Sequence, residues 1–235
     1  MPIAADQLLR VPLLPVLAAQ ALLVRRRAVQ LPEPAGAREG RQGRGPRLRL
    51  LIAGDSSAAG VGAGTQEQAL SGQLVKLLSR QFSVEWRLVA TTGHTTGNAI
   101  EDLRRIEGQF DAAVTALGVN DVTRAVTCNR FKRQQAELMR LLSVDLGVRT
   151  VIVTGVPQMD RFPALPQPLA WILGRQSARL DEGLREVIAS FPKARHLALH
   201  LPDDPALAAV DGYHPSPKAY RLWAEQAARM ILDQV

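Results

Sequence analysis

From residue 47 onward, short apolar runs alternate with stretches in which apolar residues recur every three or four positions. Leu48–Ala53, Val84–Ala90, Ala112–Leu117, Val148–Val156 and His196–Leu201 read as strands. Gln66–Phe82, with Leu70, Leu74, Leu77 and Leu78 on one face, reads as a helix. So do Ala99–Glu107, Phe131–Leu142, Trp171–Ser190 and Pro215–Leu232, the last with a proline near its start. Strand alternating with helix five times predicts an α/β domain, a parallel sheet with helices on both faces. Such sheets bind ligands beyond the carboxyl ends of their strands.

Before residue 47 the pattern changes. Residues 11–24 form an uncharged, predominantly apolar run of 14, bounded by Arg10 and by Arg25-Arg26-Arg27. A bilayer core needs about 20 helical residues, so the run counts as short for a span. Three readings remain open. A secretory signal fits Ala19-Gln20-Ala21, but the leading residues lack net positive charge and Pro12 and Pro15 interrupt the run. A surface anchor would use the apolar run and the arginines after it against anionic lipid. The third reading is a helix packed on the protein's own body. Residues 31–46 are rich in Pro, Gly and Arg, without periodicity, and read as a linker or extended strap. The expected division is therefore 1–46, an appendage, and 47–235, the globular domain. A cytoplasmic location, with membrane association through residues 11–27, is favoured over secretion.

The net charge of +7 suggests nucleic acid until it is located. Eight arginines against two glutamates in residues 25–49 supply six of those charges. The rest of the chain is nearly neutral, and its two tyrosines are not interleaved with basic residues, so no nucleic-acid partner is expected. A single cysteine, Cys128, excludes an intrachain disulfide and a multi-cysteine zinc site, and no metal or other cofactor is expected. The thiol reads as buried and inert. His196 and His200 stand four apart on a predicted strand and lack the Glu of a zinc-protease helix.

Four segments sit where a parallel sheet puts its ligands. Gly54-Asp55-Ser56-Ser57 follows the first strand and lacks the Lys of a phosphate loop, the last glycine of a dinucleotide fingerprint and the closing glycine of an α/β-hydrolase elbow. What remains is a serine at a strand-to-helix turn, a seat for a nucleophile or a plain helix cap. Gly93 lies beyond the second strand, where a missing Cβ admits a ligand or simply makes a turn. Gly118-Val119-Asn120-Asp121 follows the third strand; its Asn side chain offers a donor to an oxyanion, though Asn-Asp is also ordinary turn chemistry. Asp211-Gly212-Tyr213-His214 precedes the last helix, and an Asp three residues before a His can orient it as a general base. Asp55 and Asp121 suit hydrogen-bond support behind the reacting groups as well as turn or cap roles. Phe162–Gly174, long and apolar for a loop, fits the wall of an acyl pocket or plain packing.

Each segment alone is weak. All four, in this order on a βα pattern, resemble the signature blocks of the SGNH/GDSL hydrolases, over about four fifths of the chain. The resemblance implies a three-layer α/β/α sandwich with a flavodoxin-like, five-stranded parallel sheet. It implies Ser56 as nucleophile, His214 as base and Asp211 as its orienter. It implies an oxyanion hole made by the N–H groups of Ser56 and Gly93 and the Asn120 side chain. The function implied is serine-dependent hydrolysis of small-molecule carboxylic esters through an acyl-enzyme. Carbohydrate O-deacetylation or thioester hydrolysis would use the same residues. From other classes, a membrane-recruited binding module is disfavoured by the intact Ser, Asn, Asp and His, and a phosphoryl-transfer enzyme by the missing Lys and Mg²⁺ carboxylates. Oligomeric state stays open.

Overall fold

The computed structural model describes residues 5–234. The first four residues of the N-terminal appendage and Val235 therefore lie outside the described residues. The central elements are β2 (Arg47–Gly54), β3 (Ser83–Ala90), β4 (Ala112–Ala116), β5 (Thr150–Thr154) and β6 (Ala194–Leu197), which are parallel and lie in the order β3-β2-β4-β5-β6. That order reverses direction at β2, which leaves a crevice between the carboxyl ends of β2 and β4.

Strand alternation sorts the core into two layers. Leu48, Leu50 and Ile52 of β2 face one side and meet α3 (Leu70–Leu78) and α8 (Pro217–Leu232). Leu51 and Ala53 face the other, against α4 (Thr96–Leu103), α6 (Cys128–Arg140) and α7 (Leu169–Ile188). Both sheet faces are covered, and the result is the expected three-layer α/β/α sandwich.

The structure adds a sixth strand to the expected five. Within the stretch read as linker or strap, β1 (Glu39–Gln42) pairs antiparallel with β3, Glu39 opposite Arg87 and Gln42 opposite Val84. Its residues are wholly exposed, so no apolar alternation betrays it. Several element ends also move: the helix expected over Gln66–Phe82 is confined to Leu70–Leu78, after a separate turn at Gln66–Gln68. The helix expected from Ala99 begins at Thr96, because Thr95 and Asn98 form a reciprocal cap. The strand expected through Leu201 stops at Leu197, where its pairing with β5 ends.

The apolar run lies inside a longer helix, α1 (Ala5–Arg27), which continues through Pro12 and Pro15. A proline removes the bond to the carbonyl four residues back. Those carbonyls belong to Leu8 and Val11, both exposed, where water can satisfy them. Leu17 buries against Leu169 and Ile172 of α7. Asp6 pairs with Arg179 at 2.8 Å, and Gln20 bonds the Gln167 carbonyl and the Leu169 N–H. The opposite face leaves Leu8, Val11, Leu14 and Leu22 exposed. Leu8–Arg27 is long and apolar enough to cross a membrane, longer than the 14-residue run suggests.

Four of the five arginines of residues 38–49 pair with carboxylates, Arg41 through Glu85. Arg38 meets Glu33, Arg47 meets Glu85 and Arg49 meets Asp111. Asp111 is the most elaborate of these: it accepts from Arg49 N, Nε and Nη2 and, at 2.6 Å, from Arg149 Nη2. The Arg49 hydrogen bond, with those of Arg149 behind it, overcomes burial and holds the Asp111 carboxyl far below the usual carboxylate range. This carboxylate ties the entrances of β2, β4 and β5 together. Asp111→Ala is expected to cost about 2 kcal/mol, since bonds to a charged group are lost while both arginines keep access to water. Thermal melts at neutral pH should show a fall of roughly 4–8 °C. The deficit should shrink as pH drops below about 4, because a carboxyl with a depressed pKa loses its stabilising effect as it protonates.

Candidate active site

Asp55, in extended conformation, caps the short helix α2 (Ser56–Ala59) and accepts from Ser57 N at 3.0 Å and Ser57 Oγ at 2.8 Å. The two adjacent serines are thereby separated in role. Ser57 is spent on the cap, while Ser56 Oγ lies 2.9 Å from His214 Nε2.

His214 Nδ1 lies 2.6 Å from Asp211 Oδ2. The other oxygen of Asp211 accepts from the backbone N–H groups of Tyr213 and His214, each at 3.0 Å. Burial pushes the Asp211 carboxyl up, but the His214 bond and those N–H groups outweigh it and hold the group below its ordinary range. An ionised carboxylate can only accept, so the ring proton stands at Nδ1 and Nε2 presents a lone pair to Ser56.

The loop carrying this pair is held from three sides. Gly62, at φ +99°, brings its turn so close to Pro215 O and the His214 Cβ that a side chain there would collide. Tyr220 of α8 donates to Val61 O at 2.7 Å. Ala164 N, in the apolar loop before α7, donates to Gly212 O at 3.1 Å. In the same loop Phe162 meets Tyr213 edge to face at 5.0 Å, and Tyr213 meets the His214 ring in turn.

Gly93, at φ +84°, adopts a backbone that a side chain would strain, although a Cβ there would meet only the Arg124 guanidinium, at 3.8 Å. Its carbonyl accepts from Arg124 Nη2 at 2.8 Å. Asn120 sits on α5 (Val119–Thr123), the short helix after β4. Its amide donates to His94 O at 3.0 Å and reaches toward Asp55 Oδ2 at 3.4 Å. The first bond anchors the side chain, and the second, longer one ties it loosely to the Asp55 carboxylate. Asp121, fully buried, accepts from Thr96 N at 3.1 Å and Thr96 Oγ1 at 3.0 Å, and Gln135 donates to the same hydroxyl. Asp121 thus fixes the start of α4, directly after the Gly93 loop.

Ser56, His214 and Asp211 meet at the crevice with Asp55 and Asn120 beside them, Gly93 lies in the adjoining loop, and Asp55 and Asp121 support the loops as the sequence allowed. Sequence reading missed Arg124, Thr96 and Gln135. Arg124 is findable in principle, four residues after Asn120 on the same short helix; the others carry no local signal. Cys128 starts α6 with its thiol pushed up by burial, and His196 pairs with Asp181 at 2.8 Å, both away from Ser56. A surface hollow of about 450 Å³, lined by Leu103, Ile106, Gln109 and Leu146, opens where the chain enters β4, away from that strand's carboxyl end.

A three-layer α/β/α domain with a Ser–His–Asp relay beyond its strand ends defines a class. Comparison with known proteins narrows it. Residues 52–222 match the GDSL-like Lipase/Acylhydrolase family. GDSL-like esterase Rv1075c of Mycobacterium tuberculosis is 27% identical over 189 residues, which cover 76% of this chain and 60% of that protein. The chain thus spans about three fifths of the length of that relative. A lipase/acylhydrolase from Enterococcus faecalis superposes with a TM-score of 0.63 at 20% identity, covering 78% of this chain and 95% of the other. An acetylxylan esterase from Geobacillus stearothermophilus superposes at 0.58 with 17% identity, covering 80% and 95%. The chain belongs to the GDSL-like lipase/acylhydrolase family.

The buried acids carry an energetic cost that can be measured. Desolvation, with the nearby Asp55 charge adding to it, pushes Asp121 up to about 6 despite the bonds from Thr96. An acid raised in the fold keeps its proton longer there than in the unfolded chain, so stability falls as pH rises from about 4 to about 6. Asp121→Asn keeps an acceptor for Thr96 and removes the titration. Its melting temperature should therefore gain on the wild type between pH 4 and pH 7, by up to about 3 kcal/mol in stability. A difference that does not change with pH would show that Asp121 is not the titrating group.

Proposed function

We propose that the chain is a serine esterase. The observation that carries the reading is the continuous hydrogen-bond path from Asp211 through His214 to Ser56. Ser56 Oγ attacks the ester carbonyl while His214 Nε2 takes its proton. Negative charge develops on the carbonyl oxygen, and the N–H groups of Ser56 and Gly93 with the Asn120 amide receive it. His214 returns the proton to the departing alkoxide. A water then attacks the acyl-Ser56 ester, with His214 again as base, and releases the acid and free Ser56. Phe162 and Tyr213 set an aromatic wall beside His214. The wall supports an acyl chain longer than acetyl, through burial of its methylenes.

Turnover of p-nitrophenyl esters from acetate to octanoate, beside an acetylated sugar, tests both parts. Hydrolysis should rise with chain length, and activity on the sugar alone would point to a deacetylase instead. Ser56→Ala should abolish hydrolysis and labelling by a fluorophosphonate, whereas Ser57→Ala should keep most of both. Loss of labelling in the Ser57 variant alone would overturn the assignment.

The exposed face of α1 supports a second element of the function, contact with a lipid surface in the plane of the membrane. Leu8, Val11, Leu14 and Leu22 supply apolar contact, and Arg25, Arg26 and Arg27 follow them, also exposed. Spanning the bilayer would break the Asp6–Arg179 pair and the Gln20 bonds to α7, so the in-plane arrangement preserves the fold. The protein should sediment with anionic liposomes, less so as salt rises. Leu14→Asp, or alanine at all three arginines, should weaken that binding. Equal binding by both variants would remove α1 from the contact.

A further inference from the structure

The strap between α1 and β1 touches both the turn that follows Ser56 and the loop that leads into Gly93. Pro34 lies against Gly60, the left-handed residue that ends the Ser56 helix, so closely that a Cβ on Gly60 would touch its ring. Ala35 O accepts from Gln66 N at 2.9 Å, and Gln66 Nε2 in turn donates to Ala59 O at 2.9 Å. On the other side, Glu33 Oε1 accepts from Thr92 N at 2.9 Å and from Thr92 Oγ1 at 2.7 Å. Arg38 holds the second oxygen of Glu33 at 2.8 Å and also donates to Ala90 O.

Thr92 precedes Gly93, and the peptide unit between them carries the Gly93 N–H. The direction of that N–H is therefore set from two sides. Glu33 fixes the Thr92 backbone before it, and Arg124 fixes the Gly93 carbonyl after it. Partial burial would raise the Glu33 carboxyl, but the bonds from Thr92 and Arg38 hold it below the ordinary glutamate range. The acceptor is thus ionised at neutral pH, and charge strengthens both of its bonds to Thr92.

We infer that Glu33 is a positioning residue for the reaction, acting through Thr92 to aim the Gly93 N–H at the developing oxyanion. Glu33 lies outside residues 52–222, the part matched to the family, and 59 positions from its partner. Donor geometry at an oxyanion acts on the transition state far more than on the bound ester. Loss of Glu33 should therefore appear in kcat and leave KM nearly unchanged.

The inference rests on the esterase reading, and kinetics of the full chain on p-nitrophenyl butyrate separate the two. A wild type inactive on all esters would fail that reading, whereas an active wild type allows this test. Glu33→Ala should lower kcat by roughly 10–100-fold with KM within about twofold. Glu33→Gln keeps an oxygen that can accept from Thr92 and loses the charge and the bond from Arg38. It should stay within about threefold of the wild type. If Glu33→Ala fails to fold, Thr92→Val carries the test, since it removes one bond at an exposed residue and leaves the strap intact. A severalfold fall in kcat then supports the inference. An unchanged kcat in the variant tested, a loss carried by KM, or a glutamine variant as slow as the alanine one would overturn it.

Discussion

The bond between the His214 ring and Asp211 sets the conditions for everything around it. It fixes which nitrogen holds the proton and which way the other points. The pair comes from one short loop, so it forms by local geometry. Its target, Ser56, is 158 residues away in sequence, and only tertiary structure can bring the two within 2.9 Å. Much of the surrounding packing serves that closure: the bare Gly62 turn, the Tyr220 hydroxyl on Val61, and the Trp223 indole donating to Thr154 beneath α8. The parallel sheet gives these contacts a common floor, since β2, β3 and β4 all end under the same crevice.

The site is supported by groups that a fold chosen for stability alone would avoid. Asp55 and Asp121 lie buried, and desolvation pushes both carboxyls up. Each nevertheless terminates a loop: Asp55 closes the Ser56 turn and Asp121 closes the start of α4. Buried acceptors of this kind specify one geometry for a loop that has few apolar contacts of its own. Local cost at such positions, balanced by a well-packed sandwich elsewhere, is the expected signature of a functional edge.

The strands of the parallel sheet were legible because burial on both faces writes them as apolar runs, and the helices because one face is apolar. The four site segments were legible because their chemistry is local: a turn serine, two strand-end loops and an Asp-x-x-His loop. The strap was not. Glu33, Arg38 and β1 are polar and exposed or partly so, and their partners Thr92, Ala90 and Arg87 lie about fifty residues on. Nothing in composition distinguishes a strap that pairs from a linker that does not. The start of α4 was hidden for a different reason. Thr96, Gly97 and Asn98 are poor helix formers, and the reciprocal cap and the Asp121 anchor override their preference.

β1 has a further consequence for the behaviour of the chain in solution. Without it, β3 would present eight residues of unpaired backbone at the margin of the sheet, including Val84, Leu88 and Val89. Such an open margin is a template for recruiting another chain. β1 covers half of it with a short, exposed strand carrying Glu39 and Arg41. The short, charged β1 is thereby a selvage, a finished border of the kind that disfavours extension of a sheet.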